Sequence, residues 1–269
     1  MMSTRRRSFA RRAGALLPGI MALVAGLIAT PAWAEYALNF KTPVTEIAEI
    51  EYDLHMMILW ICVVIFIGVF SVMFYSVFNH TKAKGAKAAS FSHSTKAEII
   101  WTIIPILILI GMAIPSTQAL IKMEDTTGSD MTVKVIGYQW KWHYEYMDEG
   151  IDFYSTLSTP RAQIEGREEK GENYLLEVDN HLVLPVGKKV RLLITANDVI
   201  HAWWVPELGA KKDAIPGFIN ELWTRIDKPG TYRGQCAELC GKDHGYMPIV
   251  VDAVSQEEYD AWVKKQKKG

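Results

Sequence analysis

Apolar residues are spread unevenly along the chain, and the pattern changes character twice. Leu54 to Phe78 is a run of 25 residues without Asp, Glu, Lys or Arg, and Ile99 to Ile121 is a second of 23. Runs longer than about 18 such residues predict helices that cross a bilayer. Thr42-Pro43 is the expected N-cap and first helical position ahead of the first run, with Glu46 and Glu49 placed favourably against the helix dipole. Thr95-x-x-Glu98 reads as a capping box at the start of the second. From Met131 onward the texture becomes β-rich: Met131 to Tyr146, Tyr174 to Val178, Lys188 to Ala196, Glu221 to Ile226, Gly230 to Gln235 and Pro248 to Val254. Turn signals at Leu184-Pro185-Val186-Gly187 and Lys228-Pro229-Gly230 separate these runs, which predicts an antiparallel sandwich or barrel. Ser255-x-x-Glu258 is a capping box for a closing amphipathic helix.

The chain start has a different pattern. Arg5, Arg6, Arg7, Arg11 and Arg12, the apolar stretch Leu16 to Ile28 and Ala32-Trp33-Ala34 read as an export signal over residues 1–34. The expected organisation is then an N-terminal segment and two membrane helices over 35–122, with spans near 54–78 and 99–121 and a loop over 79–98. An outer β domain follows over 123–254, and a helix and tail over 255–269. Lys82, Lys84, Lys87 and Lys96 face only Glu98 in that loop, so the positive-inside rule puts it in the cytoplasm and both chain ends outside; the expected location is a bacterial inner membrane, with the outer part in the periplasm.

Charge sharpens the picture of the outer part. The formal net charge is -1, yet the segment from Lys122 to the end holds 24 carboxylates against 19 Lys and Arg. Ten of those acids lie between Glu145 and Asp179, opposed only by Arg161, Arg167 and Lys170. Such a stretch suits a cationic protein partner, or is a solvated loop, and no nucleic-acid partner is expected.

Candidate chemistry is concentrated in one string, Cys236-Ala237-Glu238-Leu239-Cys240-Gly241-Lys242-Asp243-His244-Gly245-Tyr246-Met247. Two thiols, an imidazole and a thioether so close together form a soft donor set suited to copper, and paired thiolates can bridge two metal ions. A second imidazole would come from elsewhere, and His201 in Asn197 to Pro206 is the candidate, with His143 and His181 as competitors on the same side. Spacing alone leaves three readings open: copper, a structural Cys/Cys/His/His zinc, or a Cys236–Cys240 disulfide with His201 as an ordinary core residue. A second string, Tyr138-Gln139-Trp140-Lys141-Trp142-His143-Tyr144-Glu145-Tyr146, places aromatics at every even position and predicts one strand with an aromatic face. Core packing is the ordinary use of such a face.

Asp198 to Pro206, Lys212-Asp213-Ala214-Ile215-Pro216-Gly217 and Gly234 to Pro248 resemble subunit II of cytochrome c oxidase, and the resemblance extends over nearly all of residues 40–260. It implies a two-helix transmembrane hairpin carrying a cupredoxin-like Greek-key barrel with a binuclear copper A centre. By motif position, Cys236 and Cys240 would bridge the coppers, and His201 and His244 would bind one each. Met247 and the Glu238 carbonyl would be weak ligands, while the Glu238 side chain would bind a magnesium ion shared with subunit I. The tryptophan matching Trp140 is where electrons from cytochrome c arrive, and the glutamate matching Glu98 lies at the mouth of a proton pathway. Glu145, Asp148, Asp152 and Asp198 are then candidates for docking cytochrome c. The implied partners are subunit I, with haem a, haem a3 and copper B, and subunit III; oxygen reduction and proton pumping would occur in subunit I. One departure stands out: Phe218 follows Pro216-Gly217 where many relatives have arginine. The rival readings are a quinol oxidase subunit II lacking copper A, the copper domain of nitrous oxide reductase, and a periplasmic copper carrier.

Overall fold

The computed structural model of the chain describes residues 39–88 and 90–268. The expected export signal, residues 1–34, lies outside the described residues. Both long apolar runs are helical, as α1 (Glu46–Asn79) and α2 (Thr95–Glu124). At about 1.5 Å per residue they reach roughly 51 and 45 Å, more than the ~30 Å hydrocarbon core of a bilayer. The most apolar stretch of each is nowhere buried within the chain, as befits a helix whose surroundings are lipid or a neighbouring subunit.

Both helix starts differ from expectation. The cap of α1 is Thr45, whose hydroxyl accepts from the Ala48 N–H at 3.0 Å and donates to the Leu208 carbonyl at 2.8 Å. Thr42-Pro43 cannot begin the helix because Val44 is tied in extended form: its N–H donates to Glu207 and its carbonyl accepts from Asp227. At α2 the cap is Ser94, accepting from the Ala97 N–H at 3.5 Å, so Thr95 is the first helical residue and Glu98 lies exposed in the first turn.

The outer domain consists of two five-stranded sheets. The first has the order β3-β2-β1-β5-β8, with β1 (Met131–Tyr138), β2 (Lys141–Tyr146), β3 (Ile151–Ser155), β5 (Val190–Ala196) and β8 (Asn220–Thr224). The second has the order β4-β10-β9-β6-β7, with β4 (Leu182–Pro185), β6 (His201–Val205), β7 (Ala210–Ala214), β9 (Gly230–Cys236) and β10 (Pro248–Val254). Pairing is antiparallel except for β1 with β5 and β10 with β4. The inner faces meet in a core that includes Val133, Val135, Leu192, Ile194, Trp203 and Ile249, each with no exposed surface. The closing helix α3 (Gln256–Gln266) forms the expected capping box at Ser255, and its Trp262 packs 5.0 Å from Tyr146. The fold is thus a two-helix hairpin carrying a cupredoxin-like β domain.

Three expectations about strands change. The segment 174–178 is not a strand: Leu175 adopts φ +61°, which breaks an extended run, and only Val178 pairs, in an isolated bridge with Leu157. Leu184-Pro185 belongs to a strand rather than a turn, because β4 is an edge strand that tolerates Pro185 at its end. The aromatic string is two strands joined by a turn at Gln139-Trp140, with Tyr138 opposite Lys141. Opposed residues share a face, so Tyr138 joins His143 and Tyr154 on one side, while Trp142, Tyr144 and Tyr146 fill the core on the other.

Candidate metal centre

The donor groups come from two places in the second sheet. His201 opens β6, Cys236 closes β9, and the connection from β9 to β10 holds Glu238, Cys240, His244 and Met247. Strands β6 and β9 are neighbours, with Trp203 opposite Cys236, so the pairing carries His201 to the loop. Hydrogen bonds fix the loop at both ends: the Cys236 N–H donates to Met247 at 3.2 Å, and the Ala237 N–H donates to Ala202 at 3.0 Å.

Six donor atoms converge there. The sulfurs of Cys236 and Cys240 are 3.9 Å apart and unbonded. Nδ1 of His201 lies 4.0 Å from the Cys236 sulfur, and Nδ1 of His244 lies 3.6 Å from the Cys240 sulfur. The Glu238 carbonyl is 3.3 Å from Cys236 Sγ, and Met247 Sδ is 3.5 Å from Cys240 Sγ. Among the described residues, His201, Cys236 and Cys240 form the one group of three such side chains with donor atoms within 4.8 Å of one another. The soft donor set suits copper. A metal bound to each sulfur at about 2.3 Å can span two sulfurs up to roughly 4.6 Å apart, and the observed 3.9 Å falls within that reach.

Electrostatics treat the two thiols differently. Burial raises the Cys236 thiol, but hydrogen bonding to His201, to the Ala202 and Glu238 backbone and to His244 outweighs it and brings the group below its ordinary value. Burial and then the negative charge of Cys236 push Cys240 up. Without a cation, the pocket thus opposes having both sulfurs charged. For His201, burial acts downward and is overcome by Cys236 and Asp198, so that the imidazole is raised.

The turn between β1 and β2 closes over this loop. Gln139 Nε2 and Trp140 Nε1 both donate to the Cys240 carbonyl, at 2.8 and 3.2 Å, and Trp142 Nε1 donates to the Met247 carbonyl at 3.3 Å. Trp140 is half-buried and lines a cavity of about 580 Å³ with Leu157, Arg161, Ile164, Lys242 and Tyr246.

The remaining candidates are spread out. Glu145 and Asp152 face each other across β2 and β3, paired with Lys134 and His143 respectively at 3.0 Å, and Asp148 accepts from the Thr132 N–H at 3.0 Å in the intervening turn. Asp198 is bonded to His201 Nε2 at 2.8 Å. His143 and His181 pair with carboxylates away from the thiols. Glu98 is at the opposite end of α2, about 40 Å of helix from the outer domain. Phe218 is exposed beside Ile219 in the turn before β8. Sequence reasoning did not identify Gln139, or Gly137, which packs against the His201 ring; neither residue type signals such a role.

Comparison with known proteins points to one family. The family profile described as cytochrome c oxidase subunit II, periplasmic domain, matches residues 131–254. The one described as cytochrome c oxidase subunit II, transmembrane domain, matches residues 33–119. The chain is 42% identical to a probable cytochrome c oxidase subunit 2 of Rickettsia bellii, across 87% of this chain and 85% of that one. It is 39% identical to cytochrome c oxidase subunit 2 of Cyanidium caldarium, across 86% and 91%. A crystal structure of the periplasmic domain of subunit II of cytochrome oxidase of Bradyrhizobium japonicum shares 42% identity, covering 53% of this chain and 97% of that one with a TM-score of 0.48.

Proposed function

The chain belongs to the cytochrome c oxidase subunit II family, and from that membership we propose that it is the copper-bearing, electron-accepting subunit of a haem-copper oxidase. In this reading it takes single electrons from cytochrome c at a binuclear copper A centre and passes them to haem a of subunit I. The observation that carries the reading is the convergence of two unbonded thiols, two imidazoles, a thioether and a carbonyl in one pocket. Zinc would leave Met247 without a purpose, and a disulfide would leave His244 without one.

When bound, the copper pair supplies a redox centre whose unpaired electron is shared by two metals. The chain's own residues do the rest. Cys236 and Cys240 would bridge, His201 and His244 would bind one metal each through Nδ1, and Met247 and the Glu238 carbonyl would complete the set. The β6–β9 pairing and the Cys236–Met247 backbone bond hold these groups rigidly, which favours a site that changes little between oxidation states. Trp140 offers a half-buried indole joined by one hydrogen bond to the carbonyl of a ligand residue, which suits it to receive electrons. The Glu238 side chain is exposed at the rim and would hold magnesium at the contact with subunit I.

Glu145, Asp148 and Asp152 would contribute to docking cytochrome c, and Glu98 would stand at the cytoplasmic mouth of a proton pathway. Oxygen reduction and pumping would occur in subunit I, with subunit III completing the assembly. We assign residues 1–34 to an export signal, residues 79–98 to the cytoplasm and the β domain to the periplasm of a bacterial inner membrane. Metal analysis and electron paramagnetic resonance of the complex purified from membranes test the proposal. Three coppers per complex are expected, one of them the copper B of subunit I and two in this chain sharing one unpaired electron. With copper B discounted, a single copper in this chain would indicate a carrier, no copper would indicate a quinol-type subunit, and zinc alone or a Cys236–Cys240 disulfide in the active complex would overturn the reading.

A further inference from the structure

We infer that Lys242 is a specificity-determining residue: at the cavity over Trp140 it selects a donor cytochrome that sets a carboxylate side chain, and not a lysine, against that indole. The inference rests on the copper reading above and names the partner chemistry at its electron entry. Lys242 Nζ stands 5.6 Å from the centre of the Trp140 ring and lines the same cavity. A cation this close to an indole face is attracted to it, so the ammonium is kept at the entry point.

The backbone fixes this placement. Gly241 adopts φ +120°, and a methyl group there would stand 3.0 Å from Trp140 Cζ2 and 3.1 Å from Gln139 Nε2. The main chain therefore lies directly against the indole, and Lys242, the next residue, projects beside it. Its side chain is 78% exposed, and the Asp243 carboxylate at 3.9 Å is beyond hydrogen-bond length. The three N–H donors of the ammonium are thus open to an incoming acceptor.

The loop after β3 adds charge of the same sign. Arg161 lines the cavity together with Glu165, whose carboxylate is shared between Arg161 at 2.9 Å and Arg167 at 2.6 Å. Three cations therefore stand against two carboxylates at this rim. The candidate docking acids Glu145, Asp148, Asp152 and Asp198 lie outside the cavity lining. A cytochrome c ringed by lysines can meet those acids at its periphery, but a lysine set over Trp140 would face like charge at short range. A carboxylate in that place would be attracted and would form a charge-assisted hydrogen bond with the ammonium.

The test uses the oxidase complex purified from membranes. Its donors are a cytochrome c whose haem edge is ringed by lysines, and variants of that donor in which single lysines are replaced by glutamate. A unit charge about 7 Å from another in water-like surroundings changes affinity about threefold. Lys242→Ala is therefore expected to lower KM for the lysine-ringed donor about threefold at low salt, and Lys242→Glu about tenfold, with the differences closing as salt is raised. For at least one glutamate-bearing donor the order reverses: its KM is below the parent donor's with the wild-type complex and above it with Lys242→Glu. Lys242→Arg keeps the charge and the wild-type order. The copper resonance is expected to be that of the wild type in all three variants, because Lys242 supplies no donor atom.

KM values that move in the same direction for every donor, or that keep their differences at high salt, would overturn the inference, since a contact charge predicts a change of sign and its loss to screening. A wild-type complex lacking the shared-electron spectrum would overturn the copper reading itself. With that spectrum present, a KM left unchanged by Lys242→Glu for every donor would overturn this inference alone.

Discussion

A methyl group at position 137 would stand 2.8 Å from Cδ2 and 2.9 Å from Cγ of His201. Gly137 in β1 is thus where the first sheet makes room for a donor on the second. Gly137→Ala is expected to displace the His201 ring and lower copper occupancy several-fold, with the β signature in circular dichroism retained; full occupancy would show that the ring can move without penalty. Trp140→Ala removes an indole that supplies none of the donor atoms and is bonded to the loop through the Cys240 carbonyl, so copper should stay. Cytochrome c-dependent turnover should fall on the order of tenfold, about 1.4 kcal/mol of barrier, and unchanged turnover would remove Trp140 from the path. What could be read from the sequence at this scale follows sequence distance. Cys236, Cys240, His244 and Met247 lie within twelve residues and declare a donor set by themselves. Gln139 binds Asp198 across 59 positions and Cys240 across 101, and no local pattern encodes such contacts. Asp198 could be read only as a surface acid, because the bond that occupies it exists only once β6 is paired.

The same distinction governs the elements. The two membrane helices were legible because uncharged length alone decides them, whereas their caps depended on how the preceding chain is held by the β domain. Thr45 is buried and serves twice, as acceptor for the Ala48 N–H and as donor to the Leu208 carbonyl. Thr45→Ala should therefore lose the cap, worth about 1 kcal/mol, and leave a carbonyl unpaired, worth roughly a further 1 kcal/mol or more. A lowered unfolding temperature in detergent checks this, and a change no larger than an exposed cap substitution would show that water replaces the hydroxyl. Strands β3, β4, β6 and β7 escaped the sequence reading for separate reasons. β6 is buried at four of its five positions, so it lacks alternation, and β7 carries two lysines and an aspartate at the sheet edge. The turn inside the aromatic string was hidden because period two continues through it.

For the molecule as a whole, the membrane hairpin is fastened to the β domain by polar contacts around the end of α2. Lys122 pairs with Glu46, its carbonyl accepts from Trp223 Nε1 at 3.0 Å, and Lys212 reaches Glu124 at 2.8 Å. Just beyond the helix, Lys189 Nζ donates to the carbonyls of Asp125 and Thr127, and Glu221 accepts from both Thr126 and the Arg191 guanidinium, the latter at 2.6 and 2.9 Å. This fastening sets where the donor pocket stands relative to the two apolar helices. The Arg191 hydrogen bonds hold the Glu221 carboxyl below the usual range against a smaller upward push from burial. A carboxyl depressed in the folded state contributes stability that is fully present above its unfolded pKa of about 4.3 and is lost as pH falls through the lower folded value. Both side chains are 37% exposed, so solvent screening limits the pair to about 0.2–1 kcal/mol. Glu221→Gln should therefore lower the unfolding temperature of the detergent-solubilised chain above about pH 5, and the gap from wild type should close as the pH is taken below the folded pKa. A gap that persists at acid pH would mean that the glutamate acts through packing and its Thr126 contact, with the ion pair contributing nothing.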